Sequence, residues 1–201
     1  MDNMRAMGCD DHKDGYTYDI HTDGLQGADV RQRFPSVTGT ENLILMAVMA
    51  EGTTTITNAA CEPHTQDLCN MLVSMGAQID GIGSNRLIIT GVQKLSGTDW
   101  TIISDHIDIG GLVAAAAMTG GELTITHAIT QHMTGILSAF EKLGVQTIVD
   151  RETDTIFVPG QQDLSIHQKE NGTIFDLKAL QWPLFPPDLV HTAVVLALKS
   201  Q

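Results

Sequence analysis

Runs of apolar residues with no polar face recur along the chain, and they predict helices that the rest of the fold encloses. The first run is Leu43 to Met49, and its counterpart, Leu112 to Met118, is mostly alanine. A further run, Leu189 to Leu198, has the same character. Because a helix that is apolar on every side must be covered on every side, we expect the first two helices to be buried. The repeat that Leu189 to Leu198 begins is cut short, so we expect this helix to leave apolar surface uncovered.

Each of the first two runs is followed by glycine and then by a strand pattern. Gly52 and the pair Gly120-Gly121 suit the end of a helix. The alternating residues Thr53 to Thr57 and Glu122 to Thr126 then predict half-buried strands.

An amphipathic helix comes next, and two strands follow it. Glu62-Pro63 places proline at a helix start, and apolar residues recur at helical spacing until Gly76. The strands are predicted at Gln78 to Asp80 and Leu87 to Thr90, and in the next copy at Gln146 to Asp150 and Thr155 to Val158. The order is therefore strand, helix, strand, helix, strand, strand.

This order belongs to an internal repeat of about 70 residues. The sequence Glu51-Gly-Thr-Thr-Thr-Ile-Thr-Asn-Ala59 returns as Gly120-Gly-Glu-Leu-Thr-Ile-Thr-His-Ala128, and a partial third copy has Met7-Gly-Cys9 in the place of Met75-Gly-Ala77. We expect an α+β fold of repeated βαβαββ units, with buried helices, outer sheets and both chain ends inside a repeat.

The copies meet near Trp100-Thr-Ile-Ile-Ser104, where we expect the domain boundary. Residues 1–103 then hold the end of one repeat and one full repeat, and residues 104–201 hold a second full repeat and the start of another. The stretch 163–188 has no counterpart in the middle copy. Within it, Asp163 to His167 and Thr173 to Leu177 predict a hairpin around Glu170-Asn171-Gly172.

The charge balance narrows the range of partners. Eleven Lys and Arg against 24 Asp and Glu give a net charge of −13, which disfavours nucleic acid but allows a small anionic metabolite held by a few donors. The longest charge-free apolar stretch, Ile109 to Gly121, is shorter than the roughly 20 residues of a membrane span. Three cysteines with no CxxC motif and no export signal favour the cytoplasm.

Several motifs, in order along nearly the whole chain, resemble the UDP-N-acetylglucosamine 1-carboxyvinyltransferase family of enolpyruvyl transferases. They are Thr38-Gly-Thr-Glu-Asn-Leu, Ala50-Glu-Gly-Thr-Thr, Asn58-Ala-Ala-Cys-Glu-Pro63, Met75-Gly-Ala77, Asp105-His-Ile-Asp-Ile-Gly110 and Phe185-Pro-Pro-Asp188. The resemblance implies an inside-out α/β barrel and the substrates phosphoenolpyruvate and UDP-N-acetylglucosamine, in peptidoglycan synthesis. It covers only the middle of the family's length.

The resemblance also implies site residues, each with a structural alternative. Asp188 is the expected catalytic base and is also placed to cap the following helix. The segment of Ser36, Val37 and Thr38 is expected to contact the nucleotide, or else forms a turn in which Thr38 or Thr40 caps a helix. Glu62 and Asp105 are expected to face the sugar, although each also stands where a helix start favours an anion.

The chain departs from the family at positions that bear on these roles. Phe34 replaces a lysine, Thr38 a glycine, Cys61 an arginine and Pro187 a threonine. The family's residues that grip phosphoenolpyruvate have no counterpart here, so we expect the chain to be inactive alone.

No cofactor or metal is expected, because the His and Asp residues neither cluster nor follow zinc spacings. The alternatives to a sugar-nucleotide transferase are a shikimate-pathway enolpyruvyl transferase and a non-catalytic repeat module for binding or assembly. Exposed apolar helices such as Leu189 to Leu198 would let copies of the chain associate as a homo-oligomer.

Overall fold

A computed structural model describes residues 1–167 and 171–200. Its internal contacts divide the chain into two compact units, Met1–Ile102 and Ile103–Gln201. In each unit, threonine-rich alternation forms strands and alanine- or leucine-rich runs form helices, as β-branched side chains and straight-chain side chains respectively favour.

The first unit has three helices and six strands. In chain order these are α1 Asp2–Ala6, β1 Asp10–Asp14, β2 Thr17–His21, β3 Asp29–Arg31, α2 Val37–Ala47, β4 Thr53–Thr57, α3 Pro63–Ser74, β5 Gln78–Asp80 and β6 Arg86–Thr90. Strands β1 and β2 form a separate antiparallel pair. The main sheet has the order β3-β4-β6-β5, in which β3 is parallel to β4 and the other pairs are antiparallel.

The second unit repeats this arrangement. Its elements are α4 His106–Thr119, β7 Leu123–Thr126, a 3₁₀ turn Thr130–His132, α5 Thr134–Glu141, β8 Ile148–Asp150, β9 Thr155–Val158, a 3₁₀ turn Pro187–Leu189 and α6 Val190–Lys199. The sheet order β7-β9-β8 matches β4-β6-β5, and both of its pairs are antiparallel. The fold is α+β and built on the repeat that the sequence predicts.

Glycines mark the register of the repeat. Gly8, Gly76 and Gly144 follow α1, α3 and α5, respectively, at the same place in the repeat. Their φ angles are 88°, 105° and 88°. Glycine adopts this left-handed conformation without the steric cost that a Cβ would add, so it ends a helix and turns the chain towards the next strand.

Each unit has its own apolar core between helices and sheet. Ile44 of α2 is fully buried in the first core with Ile56 and Ile89 from the sheet. Val113 of α4 has the same place in the second core, with Phe140 of α5 and Ile156 of β9. The helices of the apolar runs therefore pack on the sheets as expected.

Burial of α2 and α4 on every side is not reached, which corrects the expectation from the sequence. Leu45 of α2 and Leu112 of α4 are 52% and 50% exposed. Leu198 of α6 is 82% exposed, as the sequence predicts for that helix. Each helix packs one face against its own unit, and the described residues do not cover the opposite face. An apolar pattern shows that a helix has no polar side, but it does not show which other segment covers each face.

The expected hairpin in 163–177 is not formed by the described residues. Residues 163–167 and 173–177 contain no regular strand, apart from a single bridge at Ile174. The Asn171 side chain accepts hydrogen bonds from the Thr173 N–H (3.1 Å) and hydroxyl (2.7 Å), so the local turn chemistry is present. Glu170 of the predicted turn lies outside the described residues.

Candidate functional site

The first part of the candidate site is the N-terminus of α2, and Ser36 caps it. The Ser36 side chain accepts a 3.1 Å hydrogen bond from the Gly39 N–H, from an extended backbone that is usual for a cap. The expected alternatives, capping by Thr38 or Thr40, are therefore wrong, because the cap lies before the first helical residue and both threonines lie within the helix. Val37 is the first residue of α2 and is half-buried.

Thr38, where the resemblance implies glycine, has the helical backbone of α2, which a residue with a Cβ adopts without strain. Its side chain is exposed, and its hydroxyl lies 3.5 Å from that of Ser36. The two hydroxyl groups present a small polar surface at the positive end of the helix dipole, which favours anionic groups.

The next residue, Gly39, fits this chain's own packing. A Cβ at Gly39 would come 2.6 Å from Gln32 Oε1 and 3.1 Å from the Ser36 side chain. The buried Gln32 side chain therefore occupies the space that a methyl group at position 39 would need. The motif Ser36-Val-Thr-Gly-Thr40 and Gln32 are consistent with each other.

Glu62 stands at the N-terminus of α3 and does not cap it. It is in the N-cap position, yet its side chain makes no capping hydrogen bond. Its Oε2 atom is buried and has no hydrogen-bond partner among the described residues. A buried carboxylate oxygen without a donor costs free energy, so this atom is ready to accept a hydrogen bond from a ligand.

A single side chain joins these two helix starts. The Thr40 hydroxyl, on α2, accepts a 2.8 Å hydrogen bond from the Ala60 N–H, two residues before Glu62. It also donates to the Ser36 carbonyl over 2.8 Å and accepts from the Gln32 side-chain amide. Neither Gln32 nor Thr40 was among the predicted site residues. Thr40 lies within the motif Thr38-Gly-Thr-Glu-Asn-Leu, but the local sequence does not indicate the role of either residue, since they act through contacts between segments that are distant along the chain.

A second polar contact lies between α2 and α3. The Thr65 hydroxyl is 3.5 Å from Glu41 Oε1, and His64 Nε2 is 4.0 Å from the same atom. Burial, and then the Glu41 carboxylate, raises the pKa of the nearby Cys69 thiol to about 11. Burial, and then Glu62, raises the pKa of Cys61. Thiols with raised pKa values are poor nucleophiles at neutral pH.

In the second unit Asp105 caps α4. Its Oδ1 accepts a 2.8 Å hydrogen bond from the Ile107 N–H and lies 3.8 Å from Nδ1 of the buried His106. The Asp105 side chain remains 55% exposed. The carboxylate therefore has a structural role and keeps a surface that a ligand can reach.

Asp188 is presented on a rigid turn, and it does not cap α6. It lies in the 3₁₀ turn Pro187–Leu189, and the N-cap of α6 is Leu189, which makes no side-chain capping bond. The capping alternative is therefore wrong, because Pro187 begins a separate turn before the helix. The Asp188 side chain is exposed, whereas Phe185 and Leu189 on either side are 4% and 1% exposed.

Buried contacts hold this turn in place. The Phe185 ring meets Phe140 of α5 edge to face, with centroids 5.9 Å apart. Leu189 packs on Gly110 in the second turn of α4, the helix that Asp105 caps. In the second unit, both predicted site residues are therefore held by α4: Asp105 caps this helix, and Asp188 is held through Leu189. In the first unit, Thr40 links the segment of Ser36, Val37 and Thr38 to the segment that precedes Glu62.

Two cavities bordered by described residues of the second unit do not include Asp105 or Asp188 in their lining. A cavity of about 520 Å³ lies between α5 and β8, lined by Thr134, Ser138 and Arg151 among others. Another of about 420 Å³ lies between α4 and α6, and Leu189 borders it. Within residues 1–167 and 171–200, no three His, Cys, Asp or Glu side chains group as a metal site would require. Over the same ranges, no helix combines the length and apolar character of a membrane span.

The repeated sheets and their helices have the fold of the enolpyruvyl transferases. The family model of EPSP synthase (3-phosphoshikimate 1-carboxyvinyltransferase) matches residues 1–199, and the chain belongs to this family. Within it, similar curated proteins include UDP-N-acetylglucosamine 1-carboxyvinyltransferases. That of Borreliella burgdorferi is 49% identical over 88% of this chain and 41% of its own length, and that of Porphyromonas gingivalis is 39% identical over 98% and 46%.

Solved structures support the fold. The enolpyruvyl transferase NikO from Streptomyces tendae superposes with a TM-score of 0.81 at 18% identity, over the whole chain and 48% of its own. An EPSP synthase from Acinetobacter baumannii gives a TM-score of 0.65 at 24% identity, over 85% and 41%. The chain thus spans less than half the length of the relatives it matches.

Proposed function

We propose that this chain carries the sugar-nucleotide part of a site that transfers the enolpyruvyl group of phosphoenolpyruvate to a hydroxyl of UDP-N-acetylglucosamine. The observation that carries the proposal is the pairing of two helix starts in the first unit. Ser36 and Thr38 offer hydroxyl groups at one of them, and Glu62 offers a buried carboxylate oxygen without a partner at the other. A nucleotide sugar has both the anionic groups and the hydroxyl donors that such a surface accepts.

The names of the relatives support this substrate. They are UDP-N-acetylglucosamine 1-carboxyvinyltransferases at 39–49% identity. In our proposal the nucleotide contacts Ser36, Val37 and Thr38, and the sugar faces Glu62 and Asp105. Glu62 accepts a hydrogen bond from the sugar, which would satisfy its buried oxygen.

The reaction needs a base for the sugar hydroxyl. The hydroxyl oxygen forms a bond to C2 of phosphoenolpyruvate while C3 gains a proton; C3 then loses a proton as the C2–O bond to phosphate breaks, which restores the double bond. Asp188 is our candidate to take the hydroxyl proton, because its carboxylate is exposed on a turn that Phe185 and Leu189 anchor. A base on a rigid element keeps the geometry that proton transfer requires.

Cations must also balance the carboxylate and phosphate of phosphoenolpyruvate. The chain carries only 11 Lys and Arg against 24 Asp and Glu, and the family residues that grip phosphoenolpyruvate have no counterpart in it. We therefore propose that the 201-residue chain does not turn over the two substrates alone. Phosphate release, with purified chain and both substrates, tests this: sustained release above a no-protein control would contradict it.

A chimera tests the proposal that this chain carries the sugar-nucleotide part of the site. This chain would replace the matching segment of the Borreliella burgdorferi relative, which supplies the rest of the enzyme's length. The chimera should release phosphate with UDP-N-acetylglucosamine as acceptor. A folded chimera with no release would contradict the proposed function.

A shikimate-pathway transferase is the second candidate, and the family description favours it. EPSP synthase is the family to which residues 1–199 match. Against it, the identity to the sugar-nucleotide enzymes is 39–49%, compared with 24% to a solved EPSP synthase. If the chimera used 3-phosphoshikimate in preference to UDP-N-acetylglucosamine, the assignment would move to the second candidate.

The setting that we propose is the cytoplasm, where the product would enter peptidoglycan synthesis and so affect cell shape and division. The three cysteines are free, as a reducing compartment would leave them. We also propose that copies of the chain associate through the apolar face of α6, and that they bind no nucleic acid. A third candidate, a non-catalytic assembly module, would keep that association without any nucleotide binding.

A further inference from the structure

The Thr40 hydroxyl contacts the backbone at both helix starts of the proposed sugar-nucleotide site. It donates to the Ser36 carbonyl (2.8 Å) and accepts from the Ala60 N–H (2.8 Å). It also accepts from the Gln32 side-chain amide. A threonine hydroxyl has one donor and two acceptor positions, so all of its hydrogen-bonding capacity is used.

The surroundings leave these groups no alternative partner in water. Thr40 is 0% exposed, Ala60 is 2% exposed and Gln32 is 7% exposed. The Gln32 carbonyl in turn accepts from the Asn58 side chain at 3.1 Å, and the Gln32 N–H donates to the Thr57 carbonyl at 3.1 Å. The network therefore joins the end of β3, the first turn of α2 and the segment 57–60 by hydrogen bonds.

From this geometry we infer that Thr40 is a positioning residue that fixes Ser36 and Thr38 relative to Glu62. The inference rests on the proposed function, in which the two helix starts hold one nucleotide sugar. Thr40 touches no ligand itself. It acts through the Ser36 carbonyl on one side and the Ala60 N–H on the other, so the loss of its hydroxyl changes the spacing of groups that remain chemically intact.

Gln32 and Gly39 pack together beside Thr40 and support the same arrangement of the two helix starts. Gln32 Oε1 fills the space beside Gly39, where a Cβ would approach it to 2.6 Å. The amide end of the same side chain holds the Thr40 hydroxyl. A side chain larger than hydrogen at position 39 would therefore push Gln32 away from Thr40 as well as crowd the Ser36 cap.

Three substitutions in the full chain test the role of Thr40. Thr40→Val keeps the shape and removes the hydroxyl, Thr40→Ser restores the hydroxyl, and Thr54→Val is the matched control. Thr54 is equally buried in the same unit, and its hydroxyl has no partner among the described residues. The control thus removes a buried threonine hydroxyl that makes no hydrogen bond to the described residues.

The first readout is amide hydrogen exchange without ligand. Exchange in segments 36–42 and 58–62 should rise by about tenfold or more in Thr40→Val, since two buried donors lose their acceptor. Thr40→Ser and Thr54→Val should exchange in these segments at nearly the wild-type rate. Exchange that is unchanged in a folded Thr40→Val variant would overturn the inference.

The second readout is the Kd for UDP-N-acetylglucosamine, which separates this inference from the proposed function. We expect Thr40→Val to weaken binding by about tenfold or more, with rescue by Thr40→Ser to within a few-fold. If the wild type binds and Thr40→Val binds equally well, the positioning role is wrong and the function stands. If the wild type does not bind at millimolar ligand, the proposed function fails, and the positioning role fails with it.

Discussion

Leu189 lies directly against the backbone of Gly110, so closely that a Cβ on Gly110 would come 2.6 Å from Leu189 Cδ1. Ile136 of α5 is 3.2 Å from the same point. Leu189 follows Asp188 in the chain, so this contact fixes how near the proposed base lies to α4. Because Gly110 has no side chain, Leu189 can pack against α4. This contact in turn positions the neighbouring Asp188 carboxylate.

The first prediction concerns that contact. Gly110→Ala should destabilise the chain by about 1–3 kcal/mol, because the buried Leu189 and Ile136 must both move. The matched control is Gly111→Ala in the same helix, where a Cβ meets nothing within 4 Å. The control should instead stabilise by roughly 0.5–1 kcal/mol through helix propensity. Urea unfolding measures both, and equal effects of the two substitutions would contradict the packing.

The second prediction concerns Asp188 as the base. In the chimera, Asp188→Asn should lower turnover by about 10²- to 10⁴-fold, because the amide cannot take the hydroxyl proton. The fold should be unaffected, since the side chain is exposed and caps no helix. Asp163→Asn, another exposed carboxylate of the second unit, is the control. Turnover of Asp188→Asn within a few-fold of the parent chimera would end the catalytic role.

The third prediction separates the two roles of Asp105. Asp105→Ala should cost about 0.5–2 kcal/mol of stability, because the Ile107 N–H loses its cap. Asp105→Asn keeps an acceptor for that N–H, so the stability should stay near that of the wild type. In the chimera, a raised KM for UDP-N-acetylglucosamine in Asp105→Asn would show contact with the sugar. An unchanged KM would leave Asp105 with the capping role alone.

The fourth prediction concerns acid stability through Asp154. Burial alone would raise the pKa of this carboxyl, but hydrogen bonds from the Thr130 N–H (2.8 Å), the Thr130 hydroxyl (2.9 Å) and the Ile129 N–H (3.1 Å) outweigh it. The nearby His127 adds to them, and the pKa is lowered. A lowered folded-state pKa gives stability that is present above the unfolded-state value, about 3.9, and is lost as the pH falls through the folded value.

Asp154→Asn removes this dependence on pH. At pH 7 the variant should be less stable by about 1 kcal/mol, below the range for hydrogen bonds to a buried charge, because solvent screens this partly exposed carboxylate. As the pH falls below about 4 and through the lowered folded-state pKa, the difference in stability between the variant and the wild type should shrink towards zero. Asparagine tolerates the positive φ of 51° at this position, so backbone strain does not confuse the result. A stability difference that is constant between pH 7 and pH 3 would contradict the assignment.

The fifth prediction concerns association through α6. Val194, Val195 and Leu198 are 53%, 50% and 82% exposed, and exposed apolar groups of this kind drive association. Leu198→Asp should shift the chain towards monomer in sedimentation at micromolar concentration. Val73→Asp, at an exposed position of α3, should not. A wild type that is already monomeric would contradict the proposal.

Local sequence signals predicted much of the fold. Thr53 to Thr57 alternate and form β4 over the same residues, and proline at 63 begins α3. Gly76 and Gly144 end their helices with positive φ. These features succeed because period, proline and glycine act within a few residues of the chain.

Features that depend on distant residues were missed. Pro186-Pro187-Asp188 before an apolar run is typical of a capped helix, yet Pro187 starts a separate 3₁₀ turn. Thr40 looked like a cap, but the Ala60 N–H and the Gln32 amide engage its hydroxyl. Such contacts join segments that no local sequence pattern relates. The role of Thr40 at the candidate site could therefore be found only from the folded structure.

The most direct test of the sugar-nucleotide site is a titration of the 201-residue chain with UDP-N-acetylglucosamine, followed by backbone amide chemical shifts in NMR. We predict saturable shifts at Ser36, Val37, Thr38 and Glu62, and little change at the same residues with 3-phosphoshikimate at equal concentration. Shifts confined to other parts of the chain, or none at millimolar ligand, would contradict the account.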